Sequence, residues 1–196
     1  MTIYDEILIT QKTFRILLKA MSHPGRVFLL DRMSSKDWLM LILQTLLDSE
    51  VSYYVVDNKE KLLKQRIEKI TGSKQSKIED ADFIIITSGN SEGLINQAKR
   101  GTLEYPDIGA TAIYSVNSIL PISSIGHEKT NKGFNLSLKG PGINGEISLF
   151  ISGVSKEEIY YLKEINSEYP LGIDSIFVDT EGKIMCIPRS SMIEVV

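Results

Sequence analysis

Cysteine occurs once in these 196 residues, at Cys186, so no disulfide framework can form, and a reducing, cytoplasmic setting is expected. Histidine occurs twice, at His23 and His127, far apart and in no H-x-H or H-E-x-x-H pattern, so no metal site is expected. No apolar run approaches the ~20 residues of a membrane span. The longest, Trp38 to Leu43, stops at Gln44 and Thr45. Met1 to Ile9 carries Asp5 and Glu6 without a basic stretch, which argues against a secretory leader. Excess charge is missing too: 22 basic residues face 25 acidic ones, which leaves no general electrostatic case for a nucleic-acid partner. A phosphate-binding Walker loop is absent, since Gly182-Lys183 is followed by Ile184. So is the G-x-S-x-G elbow of a serine hydrolase.

What the chain does have is 42% hydrophobic residues. A domain of this length buries roughly 70% of its unfolded surface and needs no covalent or metal staple. Residues 1–196 read as one domain. Between Thr10 and Met21, the residues Phe14, Leu17, Leu18 and Met21 fall at helical spacing, and His23-Pro24-Gly25 punctuates the end. Arg26 to Leu30 reads as a strand. Ser34 and Asp37 resemble a capping box for a helix that is apolar almost all round and runs through Leu47. Val51–Val56 is a strand, and Lys59–Ile70 a charged helix with Leu62, Leu63, Ile67 and Ile70 inward. Ser73–Asp80 reads as loop, Phe83–Thr87 as a strand covered on both faces, and a short helix should end near Arg100. This alternation argues for a parallel or mixed sheet between helices.

The second half differs. Ala112–Val116 is a strand, 117–132 is less regular and reads as either a short strand or a loop, and Phe134, Leu136 and Leu138 alternate with polar residues beside a second strand at Ile147–Ile151. Ser155 with Glu158 caps a helix carrying Ile159, Leu162 and Ile165. Ser175–Asp179 and Lys183–Ile187 form a hairpin around Thr180-Glu181-Gly182. The sum is an α/β chain with a partly antiparallel sheet edge.

Gly140-Pro141-Gly142-Ile143-Asn144-Gly145 matches the G-x-G-x-x-G dinucleotide pattern in letters. A strand follows it instead of a helix N-terminus, and Pro141 removes a backbone donor, so it reads as a hairpin turn. A looser anion-binding turn is the other option. His127, beside Glu128, reads as a surface residue. His23 reads as a cation at a helix C-terminus, with a site role as the sharper alternative. Cys186 lies in an apolar strand and reads as an inert small hydrophobe. Three loops hold more glycine and polar residues than turns require: 101–111, 169–174 and 188–191. Arg189 in the last suits phosphate or carboxylate, with hydroxyls beside it; the plainer reading pairs it with Asp174 or Glu104.

These segments together carry a family likeness. Phe14-Arg15-Ile16-Leu17-Leu18-Lys19-Ala20-Met21-Ser22-His23-Pro24-Gly25 resembles the N-terminal signature of PhnH, the H subunit of bacterial carbon–phosphorus lyase. Gly101-Thr102 through Pro106, then Gly109-Ala110-Thr111, resembles the family's central motif. Pro170-Leu171-Gly172-Ile173-Asp174 and Ile187-Pro188-Arg189 resemble its C-terminal motifs, in family order. The resemblance implies a three-layer α/β/α unit with a mixed sheet, similar to the PLP-dependent transferases but without PLP, metal or iron–sulfur cluster in this chain. It implies partnership with the G, I and J subunits, and a homodimer when isolated. It also implies that the chain acts with G, I and an ATPase-like L subunit to make α-D-ribose 1-methylphosphonate 5-triphosphate from ATP and methylphosphonate. Carbon–phosphorus cleavage would follow on the J subunit's cluster.

Departures from the family exist. Ser190-Ser191 stand where relatives carry Thr-Thr, and Met192 stands where some carry histidine. The residue at position 23 varies in kind among relatives. No catalytic residue follows from the sequence. The binding candidates are Arg189, Thr102, Thr111, Asp174, Ser190 and His23, with Pro24, Gly25, Gly101, Pro106, Gly109, Pro170, Gly172 and Pro188 as structural motif positions. Three functions compete: an assembly subunit not active alone, a subunit holding a phosphonate or ATP-derived ligand near Arg189, Thr102 and Thr111, and a stand-alone nucleotide- or phosphate-binding α/β enzyme using the Gly140–Gly145 loop.

Overall fold

A computed structural model describes residues 3–31, 37–57, 61–122 and 132–196. His127 and the Ser34 half of the expected capping box lie outside them. The helices are α1 (Ile3–Ser22), α2 (Trp38–Leu46), α3 (Lys61–Thr71) and α4 (Lys156–Ile165). The strands are β1 (Phe28–Leu29), β2 (Ser52–Val55), β3 (Lys74–Gln75), β4 (Phe83–Ile86), β5 (Thr111–Ser115), β6 (Ser118–Pro121), β7 (Gly133–Lys139), β8 (Ile147–Ser152), β9 (Asp174–Val178), β10 (Lys183–Ile187) and β11 (Met192–Val195).

Seven strands form a mixed sheet in the order β1-β10-β9-β5-β4-β2-β3. The run β3-β2-β4-β5-β9 is parallel, and the hairpin partner β10 is antiparallel to both β9 and β1. Because side chains alternate along a strand, each strand feeds two cores. Ile85, Ile113, Ile176, Val178, Ile184 and Cys186 pack on Leu17 and Ala20 of α1, on Met40, Ile42 and Leu43 of α2, and on Ile67 of α3. Their neighbours Ile84, Ile86, Ala112, Tyr114, Phe177, Met185 and Ile187 fall in the other core. The cross-strand pair Tyr114 and Phe177 stacks there at 4.7 Å between ring centroids and 10° between planes, a contact that contributes about 1 kcal/mol beyond its burial.

A mixed sheet with helices was expected, but the layer on its second face is not purely helical. It combines α4 with a four-stranded antiparallel sheet, β11-β7-β8-β6, whose Leu136, Leu138, Leu149, Ile151 and Ile193 complete the second core. Alternation revealed β7 and β8 in the sequence but not the sheet they join. The strand β11, which pairs with β7, was not foreseen, because only Ile193 is buried among its four residues. The segment 73–80, expected as loop, contributes the two-residue β3, and the short helix before Arg100 is a 3-10 turn, Leu94–Gln97.

Two expected helix faces are rotated. In α1 the buried line is Thr13, Leu17 and Ala20, while Phe14 and Leu18 are 44% and 53% exposed. In α3 Ile67 is buried, but Leu62 is 81% exposed. A periodicity count sums apolar residues and cannot see that a Thr and an Ala fit the close approach to the sheet better than a Phe. Ser155 caps α4 as expected, accepting from the Glu158 N–H at 3.1 Å. In α2 the N-cap is Asp37 itself, accepting from the Met40 N–H at 3.1 Å, rather than the far member of a box begun by Ser34.

Asp82 locks the start of the parallel strands. It accepts from the Ser52 N–H at 2.7 Å and the Ser52 hydroxyl at 2.8 Å, and it pairs with Lys99. Burial alone would raise its carboxyl pKa, but the bonds from Lys99 and Ser52 outweigh burial and hold it below the ordinary 3.8. A depressed folded-state pKa means the stabilisation is present above the unfolded value and is lost as pH falls through the folded one. The Asp82→Asn variant should therefore be less stable at pH 7 by about 1 kcal/mol, allowing for a solvent-screened pair. The deficit should shrink as pH falls through the depressed folded-state pKa, below the ordinary 3.8, read as the difference in urea midpoints.

Candidate functional site

The loops 101–111, 169–174 and 188–191 converge at the amino ends of β5 and β9. Their meeting point is a cavity of about 400 Å³ lined by Pro106, Asp107, Tyr169, Pro170, Asp174, Pro188, Arg189 and Ser190. At its base, the Arg189 backbone N–H donates to Asp174 Oδ1 at 2.8 Å, Nε to Oδ1 at 3.3 Å and Nη2 to Oδ2 at 2.7 Å. Arg189 Nη1 donates to the Pro106 carbonyl. One guanidinium thus joins all three loops, with its side chain only 13% exposed and that of Asp174 26%. The fork geometry lets a single planar group serve a carboxylate and a carbonyl at once.

The motif glycines follow from this packing. A Cβ on Gly109 would stand 2.6 Å from both Arg189 Nη1 and the Gly172 carbonyl. A Cβ on Gly172, at φ +142°, would stand 2.4 Å from Asn166 Oδ1. Asn166 fixes the neighbouring backbone: Nδ2 donates to the Ile173 carbonyl at 3.1 Å, and the Ile173 N–H donates to Oδ1 at 2.9 Å. The Gly172 N–H bonds the Arg100 carbonyl at 3.0 Å, and the Asp174 N–H bonds the Ala110 carbonyl at 3.2 Å. Ser191 closes the last loop by donating its N–H to the Pro188 carbonyl at 2.9 Å.

Of the binding candidates, the structure brings together Arg189, Asp174 and Ser190. Thr102 is exposed and accepts from the Tyr105 N–H at 3.0 Å. Thr111 opens β5 opposite Asp174, and neither threonine lines the cavity. His23 lies outside it as well. Its Nδ1 sits 3.0 Å from the Lys19 carbonyl at the end of α1, the helix-terminal position expected of a cation. Pro24 and Gly25 form a turn closed by the Arg26 N–H on the His23 carbonyl at 3.2 Å. A Cβ on Gly25, at φ +75°, would meet Ile147 at 2.6 Å and Leu138 at 2.8 Å. That turn seats the end of α1 against the β7–β8 hairpin.

The Gly140–Gly145 segment joins β7 to β8 as a hairpin, so no helix receives a pyrophosphate. Gly142 packs on Ser22 and Pro24, and Gly140 on Ser190 and Ser191, which accounts for the glycines without a nucleotide. Cys186 is buried, and burial, with Asp174 nearby, pushes its thiol pKa up and keeps it protonated. Among the described residues, no cluster of three or more His, Cys, Asp or Glu side chains could hold a metal ion. No helix there is long and apolar enough to cross a membrane.

Sequence reasoning missed a second polar cavity at the opposite end of the sheet. It lies at the carboxyl ends of β4, β5 and β9 and is lined by Thr87, Ser88, Asn90, Ser115, Asn117, Lys132, Ser155 and Thr180, among others. The sequence signal at this end is Ser88-Gly89-Asn90 directly after an apolar strand, a turn pattern that by itself names no ligand.

The family profile described as bacterial phosphonate metabolism protein (PhnH) matches residues 2–194. A protein of Stutzerimonas stutzeri, described as a putative C-P lyase subunit protein HtxG, is 32% identical over 184 residues, covering 93% of this chain and 85% of its own length.

Removing the guanidinium should act first on stability. Arg189→Ala leaves Asp174 with only the residue 189 backbone N–H and the Pro106 carbonyl without the guanidinium, in a mostly covered site, and should cost about 3 kcal/mol in urea unfolding. Arg189→Lys should recover little, because an ammonium cannot span both partners in one plane.

Proposed function

The chain belongs to the PhnH family of bacterial phosphonate metabolism proteins, and from that premise we propose that it is a cytoplasmic, cofactor-free subunit of a carbon–phosphorus lyase system. It works beside the G, I and J subunits and contributes, with G, I and L, to a transferase that makes α-D-ribose 1-methylphosphonate 5-triphosphate. Its part is to supply a shaped surface to the assembly rather than to catalyse alone, and it pairs with a second copy when isolated. The fold reading that goes with this is a relative of the PLP-dependent transferases lacking PLP, with its likeness in the seven-stranded sheet and α1–α3.

The observation that carries the reading is that the family match spans residues 2–194, so all the motif loops fall inside it. Geometry supports an assembly role. The motif side chains are occupied with one another: Arg189 faces Asp174 and Pro106 rather than open solvent. The surface around them exposes large apolar side chains, Leu103 at 77%, Tyr105 at 61% and Tyr169 at 64%, with the acids Glu104 and Asp107 among them. Ile7, Phe14 and Leu18 form a second exposed apolar stripe along α1. Exposed apolar clusters of this kind are characteristic of interfaces.

A second reading, in which the Arg189 cavity holds a phosphonate or ATP-derived ligand, draws on the convergence of the loops. It requires the guanidinium to leave Asp174 or to bind through its two remaining N–H donors. Co-expression with the G, I and J subunits should give one complex through size exclusion, and a chain that elutes alone contradicts the proposal. In that complex, Arg189→Ala should impair assembly. Turnover lost from an intact complex would instead favour the ligand reading. Phe14→Glu, at an exposed position, should weaken co-elution while leaving the urea midpoint of the isolated chain unchanged.

A further inference from the structure

The cavity at the carboxyl ends of β4, β5 and β9 has walls that the assembly reading leaves unused. In open α/β sheets, ligands bind in the crevice outside the carboxyl ends of the strands. The motif loops occupy the amino ends, about 13 Å away along β5. The carboxyl-end cavity measures about 510 Å³, within the range of small-molecule sites and larger than a bare ion requires.

Its walls are held from behind. The turn after β4 is fixed by the buried Glu158, which accepts from the Ser91 N–H and the Ser91 hydroxyl, each at 2.8 Å, and from the Tyr114 hydroxyl at 2.8 Å. Gly89 and Gly153 let two turns touch: a Cβ on Gly89 would lie 1.8 Å from the Gly153 carbonyl oxygen. A Cβ on Gly153 would lie 2.4 Å from the Asn117 backbone nitrogen. The Ser155 N–H bonds the Gly89 carbonyl at 3.0 Å, and the Asn117 N–H bonds the Ser152 carbonyl at 2.9 Å. Three turns from three strands thus form one stiff rim.

The chemistry of the lining is one-sided. It carries the hydroxyls of Thr87, Ser88, Ser115, Ser155 and Thr180 and the amides of Asn90 and Asn117. The Ser88 and Thr180 hydroxyls donate to the Asn90 and Asn117 carbonyls, and Ser155 accepts from the Glu158 N–H, so Ser88 and Thr180 meet a ligand as acceptors. Among the described residues that line it there is one cation, Lys132, and no carboxylate. Among the described residues Lys132 makes no salt bridge. The nearby acids are engaged elsewhere. Glu158 is fully buried on its three donors. Asp179 accepts from the backbone N–H groups of Ile119, Glu181 and Lys183.

We propose that this carboxyl-end cavity binds a small phosphorylated polyol, with Lys132 meeting the phosphate and the hydroxyl and amide side chains meeting the sugar hydroxyls. The site is separate from the Arg189 cavity and does not depend on the assembly proposed above. The test uses the isolated full chain, ¹⁵N-labelled, titrated with ribose 5-phosphate, inorganic phosphate or ribose. Ribose 5-phosphate should give saturable amide shifts at 88–90, 115–117 and 153–155, with 106–109 and 188–191 unmoved. The variant K132M, at an exposed position, should raise the midpoint about tenfold, as loss of one charged hydrogen bond predicts. K139M, a surface lysine outside the cavity, should leave it unchanged. Absence of saturable shifts, shifts confined to the Arg189 loops, or an unchanged midpoint in K132M overturns the proposal. An equal midpoint for inorganic phosphate overturns the assignment of the hydroxyl and amide lining to a polyol.

Discussion

The pairing of Arg189 with Asp174, and through Nη1 with the Pro106 carbonyl, is the constraint on which the motif end of the molecule depends. Three loops widely separated in sequence meet at one guanidinium, and ordering each separately would cost conformational entropy at every residue. A bidentate pair with a third bond concentrates that ordering in one side chain. The surrounding glycines are a consequence: Gly109 and Gly172 are bare because the guanidinium and the Asn166 amide occupy the space a Cβ would need. The same logic reaches the first family motif through contact. Gly140 packs against Ser190 and Ser191, Gly142 against Ser22 and Pro24, and Gly25 against Ile147 and Leu138. Residues scattered from Ser22 to Ser191 are therefore neighbours along one edge because backbones approach there more closely than side chains allow.

That arrangement separates two meanings of a motif. An arginine beside serines and glycines looks, as sequence, like an anion site, and its partner decides whether it is one. Here the partner is internal, and a guanidinium facing a carboxylate presents little net positive charge outward. Outside the clamp stand exposed Leu103, Tyr105 and Tyr169, with Glu104 and Asp107 among them, on loops whose backbone is stitched to β5 and β9. Rigid presentation of aromatic and aliphatic side chains lowers the entropy lost on association.

Much of this was legible in the sequence, for physical reasons that differ by element. The β9–β10 hairpin and the Gly140–Gly145 turn were readable because strand alternation and turn residues are local signals. The Asp174 partner of Arg189 could be named as one of two options, since an acid in a nearby motif loop was visible, but the Pro106 carbonyl could not, because backbone acceptors carry no letter. The burial face of α1 was misjudged where Thr13 and Ala20, rather than Phe14, sit at the interface: close packing selects for small size as well as for apolarity. The second sheet was invisible as a sheet, because β6 and β11 are short edge strands whose partners, β8 and β7, are set by tertiary contact alone.

The two ends of the parallel sheet carry opposite solutions to the same problem. At the amino ends a buried cation is neutralised within the chain, and the glycines make room for it. At the carboxyl ends a buried anion, Glu158, is held by hydroxyl and amide donors, with no salt bridge to a cation among the described residues. Burial and the adjacent carboxylate push the Tyr114 phenol well above its ordinary pKa, so it stays a donor across the physiological range. A buried carboxylate satisfied by neutral donors fixes geometry while leaving the lysine at the rim free of any carboxylate among the described residues. Uncommitted positive charge is what an anionic ligand needs to find. The end of the sheet that no motif marks is therefore the end where the charge balance leaves room for one.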